Sequence, residues 1–356
     1  NNFLNKFFPA GFYYKTFMWP KSFWYKIYEP IIRKAAGFGA ASIKHDKERY
    51  EHKYEYCDLL IAGTGPSGLA SAYAAAKNGA KVILAEDKSR YGGSLLTSEV
   101  TIGNQSGQEW AEQIISELKS MPNVIVKNRS QVFGYYDHNM LVMSERISDH
   151  LPKTEKYIPK QRLWYIRAKE VIISSGSIER PLVFGNNDTP GVMLSSAAKE
   201  YLKIYGVLVG KKPLIFTNND SGYETAIEFK KNGVNPLILD TRKEPPSDII
   251  SEAKNLGIEI KFSYVVVAAK GYKKVKSADI AKISDNKKDL SNIENIECDC
   301  ICVSGFWTPS IHLASQSGNK SEFNEKIDAF IPKKSKQKEN TIGSANGKFT
   351  LEETIN

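Results

Sequence analysis

The chain has 356 residues, of which 41% are apolar and 25% are charged. This globular composition excludes a disordered or fibrous protein, and the length is enough to bury two ordinary domain cores. The net charge of +9 is spread along the chain without an RNA-reading motif, so nucleic-acid binding is not expected. No signal peptide and no apolar run long enough for a membrane span is visible, and no membrane partner is expected. The chain starts with Asn rather than Met, and we interpret it as a piece of a longer polypeptide.

Residues 1–53 are dense in aromatic side chains, and we predict an aromatic N-terminal arm. Within it, residues 21–36 carry apolar side chains with a rough helical period. So short a segment cannot bury so many rings by itself, so the arm should pack on another domain or subunit. Its own nucleotide-binding domain and a partner subunit both remain open as the surface that it covers.

A β–turn–α–turn–β unit follows at residues 58–86. A buried strand, DLLIAG, leads into the turn GTGPSG at residues 63–68. An alanine-rich helix then runs to residue 78, and a second buried strand, AKVILAE, ends at Glu86. Strand, glycine turn, helix, strand and acid in this order predict a Rossmann unit that binds a dinucleotide.

The residues of this unit have separate physical roles. Gly63 permits the tight turn, Gly65 lets a diphosphate approach the backbone, and Gly68 lets the helix pack close to the strand. Pro66 costs little at the start of the helix, where free N–H groups and the helix dipole favour an anion. Glu86 can accept hydrogen bonds from the adenosine ribose and repels a 2′-phosphate, which favours NAD or FAD over NADP.

Two later stretches return the chain to the same pocket. Gly93 and Ser94 follow the second strand, where flexible glycines let the backbone meet the nucleotide again. A further buried strand at residues 170–174 ends in Ser175 and Gly176, near the same edge of the fold. The alternative interpretation is that these stretches are ordinary strand-to-helix turns that do not contact a nucleotide.

The rest of the chain repeats the α/β pattern. A small antiparallel meander is predicted at residues 134–167, a second strand–helix–strand cycle starts near residue 210, and a late strand is predicted at residues 296–304. The second turn, TNNDSG, keeps one glycine, and its Asp220 would repel a phosphate, so a structural role or a ligand route is favoured over a second dinucleotide. We therefore predict an α/β fold with two dinucleotide-binding, Rossmann-like domains. The first domain would cover residues 54–177 and 300–356, with the second, residues 178–299, inserted in it.

No catalytic or metal-binding set is predicted. The five histidines lie in no nucleophile–base motif and at no metal spacing. The absence of C-x-x-C excludes the disulfide-reductase chemistry of related folds. Cys57 stands alone, whereas Cys298, Cys300 and Cys302 alternate along a predicted strand, which would put three thiols on one face. This spacing is a poor match to zinc, and we interpret the cysteines as reduced residues of a cytoplasmic protein.

Seven stretches together form a family pattern. They are AGFYYKTFMWP (residues 10–20), GTGPSG (63–68), GGSL (92–95), GSIERPLVF (176–184), DTPGVML (188–194), TNNDS (217–221) and VSGFWTP (303–309). With them the chain resembles the alpha subunit of heterotetrameric sarcosine oxidase along almost its whole length. The aromatic arm is the most family-specific stretch, and the glycine turn is the least specific.

The resemblance implies a bacterial, cytoplasmic complex that demethylates sarcosine oxidatively. Its partners would be beta, gamma and delta subunits, and the whole complex would form hydrogen peroxide, or 5,10-methylenetetrahydrofolate when tetrahydrofolate is present. The alpha subunit would hold a non-covalent NAD, the beta subunit FAD, and the two would share FMN. This chain would be the NAD-binding middle of the alpha subunit, and turnover by the isolated chain is not expected.

The resemblance also implies site residues. Ser67, Glu86, Asp87, Lys88 and Ser94 match the family's NAD contacts, and Val132 matches an adenine-side backbone contact. The closing turn and helix of the pocket match Gly343, Ser344, Phe349 and Leu351. The family often has Gly-Gly-Trp where this chain has Gly305-Phe306-Trp307. The candidate cofactor-binding residues are therefore Gly63, Gly65, Pro66, Ser67, Gly68, Glu86, Asp87, Lys88, Gly93, Ser94, Val132, Ser175, Gly176, Gly305, Gly343, Ser344, Phe349 and Leu351.

Two other functions are consistent with the same residues. One is an FAD-binding alpha subunit of a related opine or amine dehydrogenase or of the hydrogen cyanide synthase type, which share the Rossmann turn. The other is a non-catalytic scaffold whose nucleotide site is vestigial. The colour and the bound nucleotide of the purified protein distinguish the three.

Overall fold

The computed structural model describes residues 17, 19–37, 39, 42–153, 155, 157–283 and 292–355. The chain forms two compact units, Asn1–Glu48 and Arg49–Asn356. In the first unit, a π-helical turn, Trp24–Tyr28, continues directly into helix α1, Glu29–Ala35. Helical structure is thus confirmed within residues 21–36. Residues 1–16 of the aromatic arm lie outside the described residues, and the surface that the arm covers stays a prediction.

The second unit alternates strands and helices. In chain order its strands are β1 (Tyr50–Ala62), β2 (Val82–Ala85), β3 (Thr101–Ile102), β4 (Gln105–Ser106), β5 (Val124–Lys127), β6 (Ser130–Tyr136), β7 (Met140–Arg146), β8 (Gln161–Ile173), β9 (Ser177–Glu179), β10 (Val192–Leu194), β11 (Pro213–Thr217), β12 (Leu237–Asp240), β13 (Glu259–Phe262), β14 (Tyr264–Lys270), β15 (Ser277–Lys282), β16 (Glu294–Glu297), β17 (Cys300–Ser304), β18 (Trp307–Pro309), β19 (Ser321–Asn324), β20 (Ala329–Pro332) and β21 (Glu339–Thr341). Its helices are α2 (Pro66–Lys77), α3 (Gly107–Ser120), α4 (Ser195–Tyr205), α5 (Ser221–Lys231), α6 (Asp248–Asn255), α7 (His312–Gln316) and α8 (Leu351–Ile355), with 3-10 turns at Gly93–Leu96 and Gly343–Asn346.

The first sheet has the strand order β5-β2-β1-β8-β7-β6, with β21 also paired to β8. Strands β5, β2, β1, β8 and β21 run parallel, whereas β6, β7 and β8 form the predicted antiparallel meander. Successive residues of β1 enter different cores: Ile61 packs with Leu69 of α2 and Leu118 of α3, and Leu60 packs in the core that contains Trp164 of β8. Burial on both faces explains the continuous apolar run of this strand.

The second sheet has the order β10-β17-β11-β12-β13, and its pairings are all parallel. Helices α4, α5 and α6 bury Ala198, Phe229 and Ile250 against one face. Strands β14, β15 and β16 form an antiparallel sheet whose Ile280 packs with Leu214 of the second sheet in a separate core. A second α/β cycle, as predicted, is therefore present.

Two predictions about the end of this cycle are wrong. The late strand expected at residues 296–304 is two strands, β16 in the antiparallel sheet and β17 in the second parallel sheet. Between them Asp299 turns the chain, because its carboxylate oxygens accept the backbone N–H groups of Lys211 and Lys212 at 2.7 and 2.8 Å. The expected return to the first domain at residue 300 is also incorrect, since Cys300–Ser304 pairs with β10 and β11.

The same turn separates the cysteines. Cys298 packs in the core beside the antiparallel sheet, whereas Cys300 and Cys302 pack under helices α4 to α6. The prediction of three thiols on one face is therefore wrong. All four cysteines of the chain are buried and free. No helix in the described part of the chain is long and apolar enough to cross a membrane.

Candidate functional site

The turn after β1 can be built only with glycine at two of its positions. A Cβ on Gly63, whose φ is +112°, would lie 2.3 Å from the carbonyl oxygen of Ser174. A Cβ on Gly68 would lie 2.1 Å from the carbonyl oxygen of Gly63. Both distances are far below any real contact, so strand and helix approach each other as closely as the motif requires.

Gly65 has a different environment from its neighbours. Its backbone is extended, and a Cβ there would have no heavy atom within 4 Å. It is the N-cap of α2, no side chain caps this helix end, and Pro66 occupies the first turn. Open space therefore faces the unsatisfied N–H groups and the positive end of a 12-residue helix, an arrangement that suits a diphosphate.

Glu86 lies directly after β2 and is 7% exposed. Its Oε2 accepts the backbone N–H of Thr64 at 3.1 Å and the Thr64 hydroxyl, and its Oε1 accepts the N–H of Lys88 at 3.0 Å. Burial raises the pKa of Glu86 above its ordinary value, and the neighbouring carboxyl of Asp87 adds to this rise. A carboxylate has about four acceptor positions, so Glu86 still has capacity for a ribose hydroxyl.

Asp87 and Lys88 connect this end of β2 to other elements. The carbonyl of Asp87 accepts a hydrogen bond of 2.9 Å from Arg146 of β7. The ammonium of Lys88 lies 2.8 Å from both carboxylate oxygens of Glu200 on α4. Lys88 is thus paired with an acid rather than positioned for a 2′-phosphate.

The diglycine stretch closes over the turn. A Cβ on Gly93, whose φ is +55°, would lie 2.9 Å from the Cα of Gly65. The N–H of Gly92 donates to the Thr64 carbonyl at 3.1 Å, and Ser94 is exposed beside it. The diglycine stretch therefore lies close to the glycine turn in the fold.

The end of β8 and the turn after β21 complete the same edge. Ser175 donates from its hydroxyl to the Ser310 carbonyl at 2.8 Å. A Cβ on Gly176 would lie 4.0 Å from Oγ of Ser344, and a Cβ on Gly343 would lie 2.6 Å from Oγ of Ser67. Ser67 and Gly343, which are 276 positions apart in the chain, thus meet at the start of α2.

The remaining predicted site residues are less close to the turn. Val132 lies in β6, whose first residue donates its N–H to the Glu86 carbonyl at 2.7 Å. Leu351 packs on the core under α2, and Phe349 meets the Phe306 ring at 5.3 Å between centroids. The N–H of Gly305 donates to the Arg180 carbonyl at 2.7 Å, and a Cβ on Gly305 would lie 3.1 Å from the Pro181 carbonyl oxygen.

Two residues of the site were not predicted from the sequence. Thr64 is fully buried and binds Glu86, and the hydroxyl of Ser174 donates to the Gly63 carbonyl at 2.8 Å. Both side chains hold the turn in place. No sequence signal marks them, because each partner is more than 20 positions away.

The second turn is closed by its own side chains. The Thr217 hydroxyl donates to the Asn219 carbonyl at 2.8 Å, and Asn219 Oδ1 accepts the Ser221 N–H at 3.0 Å, which covers the start of α5. Asp240, fully buried at the ribose-acid position, binds Arg242 at 2.8 Å and the Tyr223 hydroxyl at 2.7 Å. The groups that would meet a second dinucleotide are therefore already paired.

Together, the two sheets with parallel strands and the glycine turn define a protein built from two dinucleotide-binding-type folds, the first with an open helix start at the turn. The chain belongs to the pyridine nucleotide-disulphide oxidoreductase family, which it matches over residues 57–330. This confirms the α/β, Rossmann-like fold class. Within the described residues no cluster of His, Cys, Asp or Glu could hold a metal ion.

The chain is also similar to sarcosine oxidase alpha subunits. It is 41% identical to subunit alpha of Rhizobium meliloti (strain 1021), over 93% of this chain and 32% of that protein. It is 31% identical to subunit alpha of Corynebacterium sp. (strain P-1), over 88% of this chain and 33% of that protein. The chain thus spans about a third of the length of these relatives, and the resemblance seen in the sequence is confirmed.

Solved structures share the fold. The thioredoxin reductase of T. acidophilum superposes with a TM-score of 0.64 at 17% identity, over 84% of this chain and 94% of that one. At this identity the similarity concerns the fold alone.

Proposed function

We propose that the chain holds NAD at the first glycine turn as the nucleotide-binding part of a sarcosine oxidase-like alpha subunit. The observation that carries this proposal is the position of Glu86, bound to Thr64 within the turn and next to the open start of α2. Gly63, Gly65, Ser67 and Gly93 would hold the diphosphate, and Glu86 would hold the adenosine ribose. NAD, when bound, supplies a hydride-accepting ring; this chain's residues bind and orient it.

The remaining predicted residues have supporting roles in this proposal. Ser94 and Ser344 would contact the nucleotide beyond the diphosphate, and Val132 would lie on the adenine side. Ser175, Gly176 and Gly343 would shape the edge of the pocket. Phe349, Leu351 and Gly305 would close it further out.

The choice of NAD over FAD rests on the sarcosine oxidase resemblance. The same resemblance supports a cytoplasmic complex with beta, gamma and delta subunits, FAD in beta and FMN shared between alpha and beta. That complex would oxidise sarcosine to glycine, with hydrogen peroxide and 5,10-methylenetetrahydrofolate as further products. In this proposal the isolated chain has no turnover, and the two sheets belong to separate nucleotide-type domains.

Native mass spectrometry of the purified protein, with the absorbance spectrum of the heat-released nucleotide, tests the proposal. We expect a colourless nucleotide with the mass of NAD, and its loss in Glu86→Ala. Glu112→Ala, at an exposed position of α3, is the matched control and should keep the nucleotide. A yellow FAD extract would favour the amine-dehydrogenase alternative, no dinucleotide would favour the scaffold, and retention in Glu86→Ala would refute the ribose assignment.

A further inference from the structure

An ion pair joins the end of β2 in the first sheet to helix α4, which packs on the second sheet. The ammonium of Lys88 lies 2.8 Å from both carboxylate oxygens of Glu200. The two residues are 112 positions apart, and no local sequence pattern indicates that they meet. A helix of the second fold therefore contacts the segment that follows Glu86, the proposed ribose acid of the first fold.

The backbone of Lys88 is fixed beside Glu86. Its N–H donates to Oε1 of Glu86 at 3.0 Å, and its carbonyl accepts the N–H of Arg129 at 2.9 Å. The side chain of Lys88 is 54% exposed, so its ammonium has room for directions other than the one toward Glu200. The contact with Glu200 thus decides where this positive charge lies.

Helix α4 is held against the first fold by contacts other than the pair with Lys88. Lys203, one turn after Glu200 on α4, lies 3.5 Å from the carboxylate of Glu99, in the segment before β3. The same carboxylate lies 2.7 Å from Lys231 of α5. Loss of the Lys88–Glu200 pair should therefore leave α4 in place and release only the lysine side chain.

The position of Lys88 matters for the choice between dinucleotides with and without a 2′-phosphate. Nucleotide folds accommodate a 2′-phosphate with a cation close to the adenosine ribose, and a lysine binds phosphate through charge-assisted hydrogen bonds. Lys88 lies two residues after Glu86, which is close enough in the chain for this role. Its ammonium is instead bound by two oxygens of Glu200, so a 2′-phosphate would first have to break this pair.

From this arrangement, we propose that Glu200 is a specificity-determining residue of the first nucleotide site. It holds the Lys88 ammonium on α4 and so withholds the cation that a 2′-phosphate requires. Glu200 acts through Lys88 and is therefore a positioning residue. Discrimination by an unfavourable contact with the wrong ligand is a general source of specificity. This role rests on the proposed binding of NAD at the first glycine turn, and it makes the second fold part of the selection.

Isothermal titration of NAD and of NADP tests the role of Glu200, with the full-length protein in its native assembly after removal of bound nucleotide. In the unmodified protein we expect NADP to bind at least about 100-fold more weakly than NAD. Glu200→Gln should strengthen NADP binding about tenfold, because the released ammonium can bind the 2′-phosphate. The affinity for NAD should stay within about twofold, since NAD lacks this phosphate.

Two further variants assign the effect to Lys88. Lys88→Met/Glu200→Gln should lose the gain in NADP affinity, because the cation is then absent. Glu297→Gln, which removes an exposed ion pair of 2.7 Å with Lys212, is the matched control and should keep the NAD-to-NADP ratio. A gain that persists in the double variant comes from the lost negative charge or from another cation such as Arg90, and it overturns the proposal.

The same titrations distinguish failure of this role from failure of the proposed function. A protein that binds NAD and loses it in Glu86→Ala, but gains no NADP affinity in Glu200→Gln, retains the proposed function and refutes the role of Glu200. Equal affinities for NAD and NADP in the unmodified protein would refute the role of Glu200 as well. A protein that binds neither nucleotide, or that binds FAD in their place, refutes both.

Discussion

The carboxylate of Glu86 accepts hydrogen bonds from both the backbone N–H and the hydroxyl of Thr64, 22 positions earlier in the chain. One buried contact thus joins the proposed ribose-binding acid to the glycine turn that is proposed to bind the diphosphate. These hydrogen bonds hold the carboxylate of Glu86 and the glycine turn in a fixed position relative to each other.

Removal of the Thr64 hydroxyl should destabilise the fold. In Thr64→Val the shape is kept, but buried Glu86 loses a donor, so we expect the free energy of unfolding to fall by about 1–3 kcal/mol. Urea titration measures this change. Thr97→Val, whose hydroxyl makes only a 3.4 Å contact, is the control and should change stability by less than about 0.5 kcal/mol. Equal losses in the two variants would contradict the role assigned to Thr64.

Alanine substitutions at two glycines of the turn should have different effects, one on dinucleotide binding and the other on the stability of the fold. Gly65→Ala places a methyl group in open space, so the unfolding free energy should change by less than about 0.5 kcal/mol, yet the methyl group blocks a diphosphate. Gly68→Ala forces Cβ against the Gly63 carbonyl and should cost about 3 kcal/mol or more. The measurements are urea unfolding and the amount of dinucleotide that co-purifies. A Gly65→Ala protein that keeps its dinucleotide would argue against the proposed phosphate position.

Phe306 has a backbone conformation that a side chain disfavours, with φ at +79°. Phe306→Ala and Phe306→Gly both lose the ring contact with Phe349, but only glycine removes the backbone strain. We expect the Gly variant to be more stable than the Ala variant by about 1 kcal/mol. Thermal and urea unfolding compare the pair, and an Ala variant that is equally stable would show that position 306 is unstrained.

Glu179 should give stability a pH dependence. It is 3% exposed, and burial raises the pKa of its carboxyl above the ordinary value. Because the folded-state pKa is the higher one, the associated stability is complete below the unfolded-state pKa and is lost as pH rises through the folded-state pKa. Glu179→Gln should therefore flatten the unfolding free energy measured across this window, whereas Glu112→Gln on the surface should leave the slope intact. A slope that survives in Glu179→Gln would assign it to another group.

The first half of the site could be predicted because its signals are local. The turn at Gly63, the helix start at Pro66 and the acid at Glu86 lie within 24 residues, and each has a backbone requirement that few residue types meet. Gly343 and Ser344 were expected there from the family resemblance alone. Their approach to Ser67 depends on how β21 pairs with β8, a long-range relation that no local pattern contains.

The end of the second cycle shows why the rest was missed. Residues 296–304 alternate in a way that is typical of one strand, yet the side chain of Asp299 binds two backbone N–H groups of another segment and breaks the run. Such a side-chain-to-backbone contact is decided by tertiary structure, so alternation alone placed Cys298 on the wrong face.

The buried cysteines can be used to detect local opening of the folded protein. Burial raises the pKa of the Cys57 and Cys298 thiols to about 12, so these two residues present almost no reactive thiolate at neutral pH in the folded chain. An alkylating reagent would then mark a cysteine only when its surroundings open. Cys57 lies in the first sheet, and Cys300 and Cys302 lie in the second. The labelling rates of these cysteines would therefore show whether the two sheets open independently of each other.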